Sequence, residues 1–117
     1  MTRREEADSI LIVDDAPKVC GLLARALSDL PYRILTADSV RSAKEILHQI
    51  ERIRMLIVDF GLPDGNGFDI VEAVRKLEPH MPILLISGYD VGAVDVEFML
   101  KPFDPEELLD KVELMAK

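Results

Sequence analysis

Four short apolar runs in this sequence each end in a residue able to do chemistry. Ile10-Leu-Ile-Val is followed by Asp14 and Asp15, Met55-Leu-Ile-Val by Asp59, Ile83-Leu-Leu-Ile by Ser87, and Val96-Glu-Phe-Met-Leu by Lys101. Three carboxylates crowded together repel, so at neutral pH they need raised pKa values or a bound cation. A hard divalent ion such as Mg2+, which takes oxygen ligands and keeps several waters, answers that need. Lys101 adds a fixed positive charge and Ser87 a hydroxyl donor. A carboxylate nucleophile, a Mg2+ site, an ammonium and a hydroxyl are the parts required to move a phosphoryl group onto Asp, whose transferring group carries negative charge on its equatorial oxygens. A single Asp after a strand is ordinarily a turn residue or a helix cap. The same kind of placement at several strand ends is what makes the phosphoryl reading specific.

For these residues to meet, the runs must be parallel strands of one sheet. Ile10 to Val13, Met55 to Val58 and Ile83 to Ile86 are continuously apolar, as strands covered on both faces are. Ile34 to Ala37 and Val96 to Leu100 complete the set, and the charge of Glu97 inside the last suits an edge strand. Helical spacing separates them. Val19, Leu22, Leu23, Ala26, Leu27 and Leu30 form one apolar stripe, and Ala43, Ile46, Leu47 and Ile50 a second. Ile70, Val71, Val74 and Leu77 form a third, stopped by Pro79, and Leu108, Leu109, Val112 and Met115 a last one. Ser39 reads as the cap of the second helix, and Asp104 before Pro105, Glu106 and Glu107 as the start of the last. The stretch Asp64-Gly-Asn-Gly67 lacks the Gly-Lys-Ser/Thr of a phosphate-cradling loop and reads as a tight loop feeding the third helix. Alternating strands and helices with right-handed crossovers predict an α/β, doubly wound, five-stranded parallel sheet with helices on both faces. Function in such sheets gathers at the carboxyl ends of the strands.

Bulk composition narrows the classes. The chain has 117 residues, 49% of them hydrophobic and 31% charged, and reads as one globular domain over 1–117 with a short polar tail, MTRREEAD, at 1–8. Its apolar runs are too short to span a membrane and the tail has no signal-peptide core, so a cytoplasmic location is expected. A formal charge of −8 argues against direct contact with nucleic acid or an anionic membrane surface. Cys20 alone cannot form an internal disulfide and reads as a small thiol on an apolar helix face. His48 and His80 have no metal-ligand spacing around them and read as surface residues.

The ordered landmarks ILIVDD, LIVDFGLPDGNGFD, PILLISG and FMLKPF resemble the response-regulator receiver domains of two-component signalling over almost the whole chain. The resemblance implies a CheY-like sheet of order 2-1-3-4-5. It makes Asp59 the phosphoacceptor, Asp15 and the main-chain carbonyl of Gly61 direct Mg2+ ligands beside Asp59, and Asp14 the holder of a metal-bound water. Ser87 would bind a phosphoryl oxygen and Lys101 pair with the phosphate, with a cis bond joining Lys101 to Pro102. Ser87 and Phe98 would be the switch pair, Ser87 moving inward and Phe98 filling the vacated space. Gly61 and Tyr89 stand where the family tunes phosphoryl lifetime. The implied partners are a histidine kinase or phosphotransfer protein upstream and a protein effector or fused output domain downstream, with a transient homodimer as a further arrangement. Such a chain is no enzyme beyond its own phosphorylation and dephosphorylation.

The segment between Ser87 and Lys101 departs from the family pattern. A parallel crossover normally takes about a dozen residues and a helix. Here Gly88 to Asp95 has two glycines and no apolar stripe, which predicts one turn at most or a mobile loop, and a fourth helix that is short or absent. This resembles a receiver subgroup with a Ser/Thr-Gly-Tyr start to the loop. Two other readings compete. A haloacid-dehalogenase-type phosphohydrolase needs an acid two residues after its Asp nucleophile, where this chain has Gly61. A phosphorylation-deficient interaction module would not need the full set of acidic and basic landmarks.

Overall fold

The computed structural model describes residues 8–50 and 52–117, so most of the polar tail expected at 1–8 lies outside the described residues. The elements run β1 (Ser9–Val13), α1 (Pro17–Ala26), β2 (Arg33–Ala37), α2 (Val40–Gln49), β3 (Ile53–Asp59), β4 (Gly61–Leu62), β5 (Gly65–Asn66), α3 (Gly67–Leu77), β6 (Ile83–Ser87), β7 (Glu97–Leu100) and α4 (Pro105–Met115). One parallel sheet has the order β2-β1-β3-β6-β7, and β4 and β5 make a separate antiparallel hairpin. Without the hairpin this is the 2-1-3-4-5 order of the expected doubly wound sheet.

Alternation along each strand divides the core into two layers. Leu11, Val13, Leu56, Val58 and Leu85 pack with Val40, Ala43, Ile70, Val71 and Val74 of α2 and α3. Ile10, Ile12, Met55, Ile57, Leu84 and Ile86 pack on the other side with Leu23 of α1, Leu27 just after it, and Leu108 and Val112 of α4. Burying a Leu or Ile side chain stabilises by about 1.5–3 kcal/mol, so strands covered on both faces have no place for polar alternation. The central strands β1, β3 and β6 are accordingly apolar over Ile10 to Val13, Met55 to Val58 and Ile83 to Ile86.

Local signals set the helix ends. Ser39 Oγ accepts the Ser42 N–H at 3.0 Å, and Asp104 Oδ1 accepts the Glu106 N–H at 2.8 Å with Pro105 at the first helical position. The first helix is shorter than its apolar stripe: it stops at Ala26, and Leu27 to Leu30 continue as turns. Leu30 precedes Pro31, which disfavours helical backbone, while Leu27 is buried without needing a further helical turn. The last strand begins at Glu97 rather than Val96, so its charge sits at the strand's first residue. No helix forms in 88–96, where the chain makes only bends before entering β7. Among the described residues no helix is long and apolar enough to cross a membrane.

Candidate functional site

The parallel sheet brings the carboxyl ends of β1, β3, β6 and β7 to one edge. Main-chain bonds fix the neighbours there: Phe60 N–H donates to Ile86 O at 2.8 Å and Lys101 N–H to Ser87 O at 2.7 Å. Asp14, Asp15 and Asp59 each place a carboxylate oxygen within 4.8 Å of the others. Lys101 Nζ reaches into this group, 2.9 Å from Asp14 Oδ2 and 3.2 Å from Asp59 Oδ1. Asp14 is 1% exposed and Asp59 9%, whereas Asp15 faces solvent. The second oxygen of Asp14 accepts the Ala16 N–H at 2.9 Å, fixing the carboxylate where α1 begins.

The electrostatics follow from this crowding. Burial raises the Asp59 pKa above the ordinary carboxylate value, the charge of Asp14 adds to the rise, and Lys101 works against it. Burial alone would depress the Lys101 ammonium, but the hydrogen bond and charge of Asp14, then those of Asp59, outweigh it and raise its pKa. Lys101 therefore remains a cation. Oxygen-only donors at this spacing, with one carboxylate held above its ordinary pKa, suit a hard divalent ion.

Ser87 is 1% exposed at the end of β6, and its Oγ accepts the Tyr89 N–H at 3.1 Å. The Lys101–Pro102 peptide bond is cis. Phe98 is registered opposite Leu85, two residues before Leu100 pairs with Ser87, and packs half-buried on the layer beneath α2 and α3. Gly61 opens the β4–β5 hairpin immediately after β3. Cys20 is half-buried, its thiol donating to the Asp14 carbonyl at 3.2 Å, and burial, then the Asp14 charge, push its pKa up. His48 and His80 are exposed.

Three contributors escape a reading of the sequence. Asp64, in the hairpin, accepts the N–H groups of Val40 and Arg41 at 2.7 and 3.0 Å. The Phe60 ring meets Phe68 edge-on at 5.3 Å and Tyr89 at 6.0 Å, linking the end of β3 to α3 and to the loop after β6. At Gly67, a Cβ would lie 2.8 Å from the Asp59 main-chain oxygen and 3.0 Å from Leu85 Cδ1. Only glycine lets α3 start this close to the end of β3.

A doubly wound parallel sheet with three carboxylates and a lysine at its carboxyl edge defines a class of acidic-site α/β domains. The response regulator receiver domain model matches residues 10–113, and the chain belongs to that family, the receiver domains of two-component systems. It is 34% identical over 108 residues to the photosynthetic apparatus regulatory protein RegA of Cereibacter sphaeroides, covering 86% of this chain and 58% of that one. It is 31% identical over 112 residues to the response regulator protein PilR of Pseudomonas aeruginosa, covering 87% and 24%. The chain thus spans from about a quarter to three fifths of these two relatives' length. The crystal structure of a response regulator receiver protein from Sinorhizobium medicae superposes with a TM-score of 0.85 at 25% identity, covering 95% of each chain.

Proposed function

We propose that this domain accepts a phosphoryl group on Asp59 from a histidine kinase or phosphotransfer protein and passes the state on by protein binding. The observation that carries the reading is Lys101 Nζ lying between Asp14 and Asp59 at the carboxyl edge, within the cluster of three carboxylates. An Asp59 carboxylate oxygen attacks phosphorus, the phosphorus–nitrogen bond of the donor phosphohistidine breaks, and the imidazole nitrogen leaves with the electron pair. Asp14, Asp15, Asp59 and the Gly61 carbonyl would hold Mg2+, which when bound supplies positive charge to the transferring oxygens. Lys101 neutralises from its own side, exchanging its carboxylate contacts for phosphoryl oxygens. Ser87, which accepts from Tyr89, keeps a hydrogen to donate to a phosphoryl oxygen, and Phe98 responds to its movement by shifting between two packings.

On this reading the chain is one receiver domain, acts in the cytoplasm, and catalyses only its own phosphorylation and dephosphorylation. Its output goes to a protein effector or a fused domain, and its net charge of −8 disfavours direct contact with nucleic acid. Gly61 in place of an acid disfavours a dehalogenase-type phosphohydrolase. Incubation with acetyl phosphate and Mg2+ followed by intact mass measurement tests the reading. One labile phosphoryl group is expected, absent from Asp59→Asn. No adduct, or an adduct that survives this substitution, would sink it.

A further inference from the structure

We propose that Asp64 is a positioning residue for the metal site, holding the β4–β5 hairpin so that the Gly61 carbonyl is presented beside Asp59. The proposal rests on the reading above that this carbonyl is a Mg2+ ligand. The hairpin has two residues in each strand, pairing Gly61 with Asn66 and Leu62 with Gly65. An isolated two-stranded hairpin is at best marginally stable in water, and this one is far below ordinary strand length. Its orientation must therefore be imposed by its surroundings.

Two sets of bonds impose it. At the root, Gly67 N–H donates to Phe60 O at 2.7 Å, Asn66 N–H to Asp69 Oδ2 at 3.0 Å, and Phe68 N–H to Asn66 Oδ1 at 2.9 Å. These set where α3 starts and fasten the hairpin at its base, where Leu62 also packs on the core. At the far end the Asp64 carboxylate takes the first two N–H groups of α2, Val40 at 2.7 Å and Arg41 at 3.0 Å. Those are donors that a helix cannot satisfy internally, and the positive end of the helix favours an anion there. The two hydrogen bonds hold the Asp64 pKa below the ordinary carboxylate value, so the brace persists at neutral pH. Ser39 serves the same helix differently: its side chain bonds Ser42, accepting that residue's N–H, and among the described residues it makes no hydrogen bond to the hairpin. One helix end thus has a local cap and a distant one, and only the distant one reaches the metal loop.

Mg2+ titration by calorimetry, with amide exchange by NMR, tests this on the wild type, Asp64→Ala, Asp64→Asn and Ser39→Ala. Asp64→Ala is expected to weaken Mg2+ binding about tenfold, as loss of groups that orient metal ligands does. Asn keeps one acceptor oxygen where Asp64 uses two, so Asp64→Asn is expected to weaken binding about threefold, between the wild type and Asp64→Ala. Ser39→Ala should loosen α2 and leave Mg2+ affinity within about twofold of wild type. Because coupling between sites is reciprocal, Mg2+ should slow exchange of the Val40 and Arg41 amides in the wild type, a readout that needs no variant. Equal losses in Asp64→Ala and Asp64→Asn would reduce the effect to charge, and equal losses in Ser39→Ala would reduce it to helix stability. Either result, or unchanged affinity in Asp64→Ala, overturns the proposal while leaving the phosphoacceptor reading intact. A wild type that does not bind Mg2+ overturns both.

Discussion

Two of the connections by which the chain leaves the carboxyl edge of the sheet have opposite construction. The one after β3, residues 60–66, is tied by main-chain and carboxylate hydrogen bonds to α2 and α3, and Gly67 beyond it has no room for a methyl group. The one after β6, residues 88–96, is held by the Tyr89 N–H on Ser87 and by the packing of Val91, Val94 and Val96. The Tyr89 ring against Phe60, the Gly92 N–H on Asp90 and one exposed ion pair, Arg75 Nη1 to Asp95 Oδ2 at 3.0 Å, add to these. Partly exposed side-chain contacts of this kind contribute little individually and exchange easily. The site therefore has a fixed side that would carry the chemistry and a loosely fastened side that can rearrange around it.

Matched glycine substitutions should show the largest effect. Gly67→Ala forces a Cβ against a main-chain oxygen that cannot move cheaply, and overpacking of this kind typically costs about 1–3 kcal/mol. Gly88→Ala meets nothing within 4 Å, and should be neutral or stabilising by up to about 1 kcal/mol through the unfolded chain. Urea unfolding of the two variants checks the contrast, and similar losses would break it.

The electrostatics of the fixed side give the next two tests. Lys101→Met removes the one influence that lowers the Asp59 pKa, so Asp59 should titrate at higher pH than in the wild type, read by carboxyl carbon NMR. A carboxylate whose pKa is raised by folding binds protons more tightly in the native state. Its contribution to stability is fully present below the unfolded pKa and is lost as pH rises through the folded value. At pH 7 without metal, Asp59→Asn is therefore expected to melt above the wild type. The advantage should shrink as pH falls into the ordinary carboxylate range, and thermal melts across pH in chelator read it.

The smallest effect belongs to the loose side. Arg75→Ala should leave the global unfolding midpoint unchanged while speeding amide exchange at 91–96, and added salt should mimic it in the wild type. A clear loss of global stability would mean the loop is braced as firmly as the hairpin.

The legible parts of the molecule were those encoded by neighbours in sequence. Continuous apolar runs announce strands covered on both faces, Asp104-Pro105 announces α4, and the shortness of 88–96 announces a crossover without a helix. Strand ends placed Asp14, Asp15, Asp59, Ser87 and Lys101 on one edge once a parallel sheet was inferred. What stayed hidden depends on partners far along the chain. Asp64 in Pro63-Asp64-Gly65 has the signature of a turn residue, and nothing local reveals that it caps a helix 24 positions earlier. Likewise Asp8 joins Arg52 and Arg54 across the sheet's opposite edge, and Phe60 finds Tyr89 only through the pairing of β3 with β6. The early end of α1 was hidden for another reason, since turns can bury Leu27 as well as a helix can.

The strand order ends the sheet in β7, whose outer row of main-chain donors and acceptors has no sheet partner among the described residues. Such a row is a template on which another chain can polymerise. Two features blunt it: β7 is only four residues long, and its first residue, Glu97, is held at 3.1 Å by Lys111 of α4. The position of β7 in the sheet thus bears on colloidal behaviour, and a charge that first read as the mark of an edge strand acts as the guard of that edge.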